Sequence, residues 1–282
     1  MSKFKVMNVI NKLVIIFILS VTVTVTVWAD ENNTDISILI DKGKKAATFQ
    51  QYKKAETFYL QAVKLRSAQA AYLLATHFAN GYGQEVNIDQ AIYWYKNSIE
   101  IGGFTRAYYE LGVMYHKYKH NDKQAQKYFE QAIALGDINA HHDLAILYIN
   151  KKEYSKALIL LNQATEKYHA PSQYTLAQFY LFNIVVSKDT NKAITLLNQA
   201  AKSNYSPAIA QLAKIYVSGQ FAPKNLARAE ALFAKNYRLE NKNGLDLAGV
   251  LLEQKKVIQA KSLLNKMAQA GDTAANEMLK KL

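Results

Sequence analysis

Six histidines are the side chains of this sequence best suited to acid–base or metal chemistry: His77, His116, His120, His141, His142 and His169. None of them forms an H-E-x-x-H pattern or a comparable spacing. His116 and His120 stand four residues apart, so a helix would set both imidazoles on one face. The nearest carboxylate, Asp122, reads as the start of the next helix. That pair is at most a two-nitrogen metal candidate, and a solvated turn is the plainer reading. The chain has no cysteine, which removes disulfides, thiolate nucleophiles and thiolate metal sites. No G-x-S-x-G motif, P-loop or dinucleotide fingerprint occurs, and the carboxylates are scattered. The expectation is a protein that is not an enzyme and holds neither a metal nor a cofactor.

The elements that would position any site come from repetition. A small residue followed four places later by Leu recurs at Ala70/Leu74, Ala107/Leu111, Ala140/Leu144, Ser172/Leu176, Ala208/Leu212 and Asn243/Leu247. Each Leu is followed by another small residue, and then by an aromatic: Phe78, Tyr115, Tyr148, Tyr180, Tyr216, with Leu251 the exception. A second anchor recurs at Ala91, Ala125, Ala157, Ala193, Ala229 and Ala260, followed by two bulky residues such as Trp94-Tyr95 and Tyr128-Phe129. The periods are about 31 to 37 residues, the window of helical-hairpin solenoids. Small residues let helices approach closely, and the bulky ones fill the space between hairpins. Ala70 to Gly102 is the fullest copy, with Gly81-Tyr82-Gly83 between two apolar stripes and Gly102-Gly103 to end the second helix.

At these residues the sequence resembles the Sel1-like repeats, relatives of the tetratricopeptide repeats. The pattern Ala…LeuGly…Tyr…Gly-x-Gly…Asp…Ala…Trp-Tyr…Gly is nearly complete in Ala70 to Gly102, and Ser206 to Tyr237 also carries it. The turns around His116 to Asp122 and Asn150 to Tyr154 are shorter and look more like plain tetratricopeptide turns, as does the stretch near Tyr52 to Ala55. The resemblance covers roughly residues 36–282. It implies an all-α, right-handed superhelical solenoid of about seven helical hairpins, capped by an irregular first hairpin and a final half-repeat from Thr273. It is specific for fold and poor for function, because such repeats are interaction scaffolds with many partners.

The resemblance also implies that the first helices line a concave groove. Two residues after each first-helix anchor stand Tyr72, Tyr109, His142 and Tyr174, then Ala210 and Leu245. Neighbouring groove positions are Thr76, Arg106, Val113, His116, Gln178 and Lys214. Tyr and Arg suit a binding face, through large contact area and a polar tip. The same Tyr residues could instead pack between hairpins.

Residues 1–29 read as a secretory signal peptide: Lys3, Lys5 and Lys12, then an uncharged apolar run from Leu13 to Val27, then Trp28-Ala29 before Asp30. Cleavage after Ala29 is the expected processing; a retained membrane anchor is the alternative, near the lower length limit for a span. A short linker, 30–35, precedes the repeats, which read as one continuous domain over 36–282. The leader holds three of the positive charges, so the formal +13 of the chain leaves about +10 without it. An exported basic protein is a poor candidate for nucleic acid and a better one for an acidic protein or envelope polymer. Lys is nevertheless spread through turns and outer faces, as solvated surface is. The favoured reading is therefore a periplasmic or secreted scaffold that binds a protein or peptide partner in the cell envelope through the groove. Binding of peptidoglycan or an acidic polysaccharide, and modulation of an envelope enzyme, are the alternatives.

Overall fold

The structure, a computed structural model, describes residues 35–282. The expected leader over 1–29 lies outside the described residues, as does the linker up to residue 34; residue 35 already belongs to a helix. Fifteen helices and no strand occur among the described residues: α1 over 35–48, then α2 (Tyr52–Lys64), α3 (Ala68–Asn80), α4 (Ile88–Gly102), α5 (Thr105–Lys117), α6 (Asp122–Ala134), α7 (Ile138–Asn150), α8 (Tyr154–Glu166), α9 (Ala170–Phe182), α10 (Thr190–Lys202), α11 (Ser206–Ser218), α12 (Leu226–Glu240), α13 (Gly244–Glu253), α14 (Val257–Gln269) and α15 (Thr273–Leu279). None of these helices is long and apolar enough to cross a membrane. Consecutive helices pair as seven hairpins, α1/α2 through α13/α14, with α15 as a half-hairpin. The chain divides into two compact units, ending and beginning at Leu135 and Gly136.

Nine of the helices are started by local chemistry, seven by a side-chain cap and two by a proline. Side-chain oxygens of Ser67, Asn87, Asn121, Asp137, Asp189, Asn225 and Asp272 accept from backbone N–H groups three residues on, satisfying donors that a helix start leaves unpaired. Pro171 and Pro207 open α9 and α11, where a missing N–H costs nothing. Gly103 ends α4 in the left-handed region at φ 62°, as the Gly102-Gly103 pair predicts.

One backbone bond closes every hairpin whatever its turn length. The residue that caps the second helix donates its N–H to a carbonyl near the end of the first: Gln51 to Ala46, Asn87 to Phe78, Asn121 to Tyr115, Glu153 to Tyr148, Asp189 to Tyr180, Asn225 to Tyr216 and Lys256 to Leu251, at 2.8–3.2 Å. Five of these acceptors are the aromatic series of the repeat. Short turns such as 150–154 and long ones such as 80–88 therefore converge on the same latch. The aromatic rings sit beside it. In the second unit Lys156, Lys192 and Arg228, each just before a second-helix anchor, lie over the rings of Tyr148, Tyr180 and Tyr216 at 5.2, 4.5 and 5.1 Å.

Repeat positions become core positions. All six second-helix anchor alanines are fully buried, as are or nearly are the bulky residues four places on, Tyr95, Phe129, Leu161, Leu197, Phe233 and Leu264. The first unit packs Ile40, Tyr59 and Leu74 in one cluster and Ile92, Tyr95, Leu111 and Met114 in another. The second unit has a larger core through Leu161, Leu176, Phe179, Leu197, Ile209, Leu212 and Phe233, with Leu264 and Met267 closing it towards α15. Ser98 and Asn236 are buried polar residues in second helices, and both donate to the carbonyl at or beside the start of their own hairpin, Ala68 at 2.6 Å and Ser206 at 3.5 Å. One anchor departs from the series: Asn243 stands before α13 at φ 62°, tied to Asn236 and Asp246 by side-chain bonds of 2.6 Å. Gly244 takes the buried place beside it, where an added Cβ would meet Met267 Sδ at 2.7 Å.

Candidate functional site

The residues two places after each anchor share one environment. The anchors Ala70, Ala107, Ala140, Ser172 and Ala208 are fully buried. Tyr72, Tyr109, His142, Tyr174 and Ala210 are half-buried, and Leu245 is exposed. This phase of the first helices is left reachable in every hairpin from α3 to α13.

In the first unit Tyr72 leans on Phe104 and Tyr95, with ring centroids 4.9 and 5.6 Å away. Thr76 donates to the Tyr72 carbonyl at 3.0 Å and lies 3.5 Å from the Tyr95 hydroxyl. Arg106 sits 3.7 Å from Glu110. Burial first, and then the Glu110 carboxylate, pushes the Tyr72 phenol above its ordinary value, while Arg106 and Thr76 oppose the shift. The structure thus brings Tyr72, Thr76 and Arg106 into one half-buried polar cluster with Tyr95 and Glu110. Tyr95 and Glu110 escape sequence reasoning because they belong to the bulky and polar registers of other faces. Tyr109 lies at 6.0 Å from the ring of Phe129. His116 lies in the last turn of α5 while His120 falls beyond the helix at φ 48°, so the two do not share a helix face, and His116 pairs through Nδ1 with Asp122 Oδ1 at 2.8 Å. Asp122 is the first residue of α6, so this bond ties the two ends of a short turn. No group of three or more potential metal ligands occurs among the described residues.

In the second unit His142 meets His169 at 5.6 Å between ring centroids, and its Nδ1 donates to Asp143 at 3.1 Å. Its Nε2 stands 3.3 Å from Thr175 Oγ1. His169, absent from the groove positions read from sequence, is the N-cap of α9 and bridges two first helices. Its Nε2–H donates to Asn139 Oδ1 at 3.2 Å, which leaves Nδ1 to accept from the buried Ser172 hydroxyl at 2.9 Å. Tyr174 packs edge-on against Tyr205 at 5.8 Å. Gln178 has a buried Nε2 with no partner among the described residues. Lys214 lines an open cavity of about 530 Å³ between α11, α13 and α15, together with Leu245 and Gly249.

Burial lowers the His169 imidazole to about 4, from an ordinary 6.5; the neighbouring His142 adds to the shift, and Asp143 and Asp137 oppose it. The folded second unit therefore binds this proton less readily than the unfolded chain does. Its stability is complete above about pH 6.5 and falls as the pH drops towards 4. A proton on Nδ1 would also displace the Ser172 bond and place positive charge at the start of α9. Thermal melting at pH 7.5, 5.5 and 4.5 should show a progressive loss of several degrees. His169→Asn, which places a non-titrating residue of good N-cap propensity there, should flatten that dependence; an unchanged slope would assign it to other groups.

These features define a class: an all-α protein of repeated helical hairpins related to the tetratricopeptide repeats, with a reachable face on its first helices. The Sel1 repeat model matches residues 68–102, 105–137, 170–205 and 206–238, so the chain carries four Sel1 repeats. The hairpin at 105–137 matches despite its short turn; that at 138–169, with a turn as short, does not. A Sel1 repeat protein from Oxalobacter formigenes is 21% identical, over 87% of this chain and 75% of its own, with a TM-score of 0.70. A protective antigen of uropathogenic Escherichia coli strains is 23% identical with a TM-score of 0.64, over 82% of this chain and 52% of its own. This chain thus spans about half the length of that antigen. A Pseudomonas aeruginosa protein is 19% identical, over 73% of this chain and 83% of its own, with a TM-score of 0.51. At these identities the likeness is one of fold. No curated protein sequence matches the chain. Repeat folds of this kind are commonly protein-interaction scaffolds.

Proposed function

We propose that the protein is an exported, non-catalytic scaffold that binds a protein partner in the cell envelope through the first-helix face of its repeats. The observation that carries this reading is the shared exposure of one repeat phase: Tyr72, Tyr109, His142, Tyr174 and Ala210 stay reachable beside fully buried anchors, and Leu245 is exposed in the same phase. A residue that served packing alone would be expected to sink into the core in at least some copies. Large half-buried aromatics with polar tips are suited to protein contact, since little rotamer freedom is lost when they are covered. Export rests on the Lys-led apolar leader that ends at Ala29. The positive charge of the chain favours an acidic partner. Sugar stacking is less well supported, because one side of Tyr72 and of Tyr174 is already engaged by Phe104, Tyr95 and Tyr205.

In-cell cross-linking with mass spectrometry tests this. Wild type should yield a discrete protein adduct from the envelope fraction. A folded Tyr109→Ala, His142→Ala, Tyr174→Ala variant should lose it. An adduct that survives in the folded variant would remove the first-helix face from the account. Recovery of cell-wall material in place of a protein would move the function to glycan binding.

A further inference from the structure

After each second helix one residue turns into the left-handed region: Arg66, Gly103, Gly136, Tyr168, Asn204, Asn241 and Gly271, at φ between 54° and 93°. Glycine and asparagine adopt this conformation at least cost, and they fill five of the seven places. Tyr168, at φ 59°, holds a bulky ring against its backbone preference. It gains no packing in return. The side chain is 76% exposed, and it meets none of the described aromatic rings. A strained residue that packing does not repay points to a use for its side chain.

Tyr168 lines a cavity of about 330 Å³ between α8, α9 and α10, together with Asn162, Thr165, Glu166, Lys192 and Gln199. The lining offers both donors and acceptors. Asn162 spends Nδ2 on the Leu158 carbonyl at 2.9 Å, which leaves its oxygen to accept. Gln199 accepts from the buried Gln173 amide at 3.3 Å, which leaves its own Nε2 to donate. The Thr165 hydroxyl is buried without a partner among the described residues and can do either. Glu166 and Lys192 cancel in charge, so the lining favours neither a polyanion nor a polycation.

We propose that this cavity binds a neutral saccharide, with one pyranose ring lying on Tyr168 and its hydroxyls bonded to Asn162, Thr165 and Gln199. Sugar hydroxyls both donate and accept, and the C–H face of a pyranose is apolar, so such a ring complements an exposed phenol flanked by amides and a hydroxyl. A nucleic acid would also stack on the ring, but its phosphates would find no net positive charge here. The site lies apart from the first-helix rings and stands independently of the scaffold reading.

Saturation-transfer difference NMR on the full chain tests this, with maltotriose, cellotriose and N,N′,N″-triacetylchitotriose as probes. At least one trisaccharide should receive saturation and titrate to a dissociation constant. Tyr168→Asn should weaken that probe at least about tenfold. The same variant should melt at or above wild type, because asparagine suits the left-handed turn. Thr165→Val, which keeps the shape and removes the hydroxyl, should weaken the probe about fivefold. Absence of transfer to all three probes would overturn the proposal, as would equal binding by Tyr168→Asn. A clearly lower melting temperature for Tyr168→Asn would give the ring a packing role and overturn it too. So would a protein adduct from a photo-cross-linker at Tyr168 with no saccharide bound, which would assign the ring to the partner-binding surface.

Discussion

Phe129→Ala is expected to cost about 3–5 kcal/mol, because it empties the place of a fully buried ring in α6. Phe129 is only 1% exposed, and Gly112 is shaped around it. A Cβ on Gly112 would come within 2.4 Å of Phe129 Cε1 and 2.5 Å of Cδ1. Gly112→Ala should therefore also destabilise, by about 1–3 kcal/mol, through overpacking that the enclosed ring cannot swing away from. The two effects are coupled. In a Phe129→Leu background the added methyl has room, so Gly112→Ala should cost clearly less there than in wild type. Trp94 lies in α4 of the same unit, so its fluorescence during denaturant unfolding reports the relevant transition. Simple additivity of the two substitutions would show that the pair is not the close packing element described.

Leu212→Ala is expected to cost about 2–5 kcal/mol in the second unit. Leu212 is fully buried in α11, between the anchor Ala208 and the small Ala213, in the core that joins α7 to α14. Ile258→Ala is the matched control. That side chain is 86% exposed in α14, so its loss should fall within about 0.5 kcal/mol. Far-UV circular dichroism during urea unfolding follows both variants. A small effect at Leu212 would mean that the repeat leucines are not the central packing residues of their hairpins.

Much of the architecture was legible because the same spacing recurs with the same residue types. An alanine that must be small and a leucine four places on that must be buried leave little freedom over six copies. The hairpins from α3 to α14, their anchors other than Asn243, and the half-repeat at Thr273 lie where that spacing puts them. Asn243 misled the register, because a small polar residue serves equally as a helix anchor and as a cap. The site was less legible, for physical reasons. Periodicity says which face a residue occupies, but not what the next helix places against it. His169 stands outside every helical register as an N-cap and was missed, although it ties Asn139 to Ser172. His116 was placed in the groove set and spends its Nδ1 on Asp122 across the turn. The question of binding against packing for Tyr72 and Tyr174 receives a mixed answer: each ring is packed on one side and reachable on the other.

The most direct test of the scaffold account places a photo-cross-linking amino acid at defined positions of the full-length protein in living cells. Tyr109, Tyr174 and Leu245 sample the first-helix face; Tyr93 and Ile159, exposed at 56% and 59% on second helices, sample the opposite register. The account predicts a shared protein adduct from the first three positions and none from the other two. Adducts from Tyr93 and Ile159 alone, with the first-helix positions silent, would contradict it.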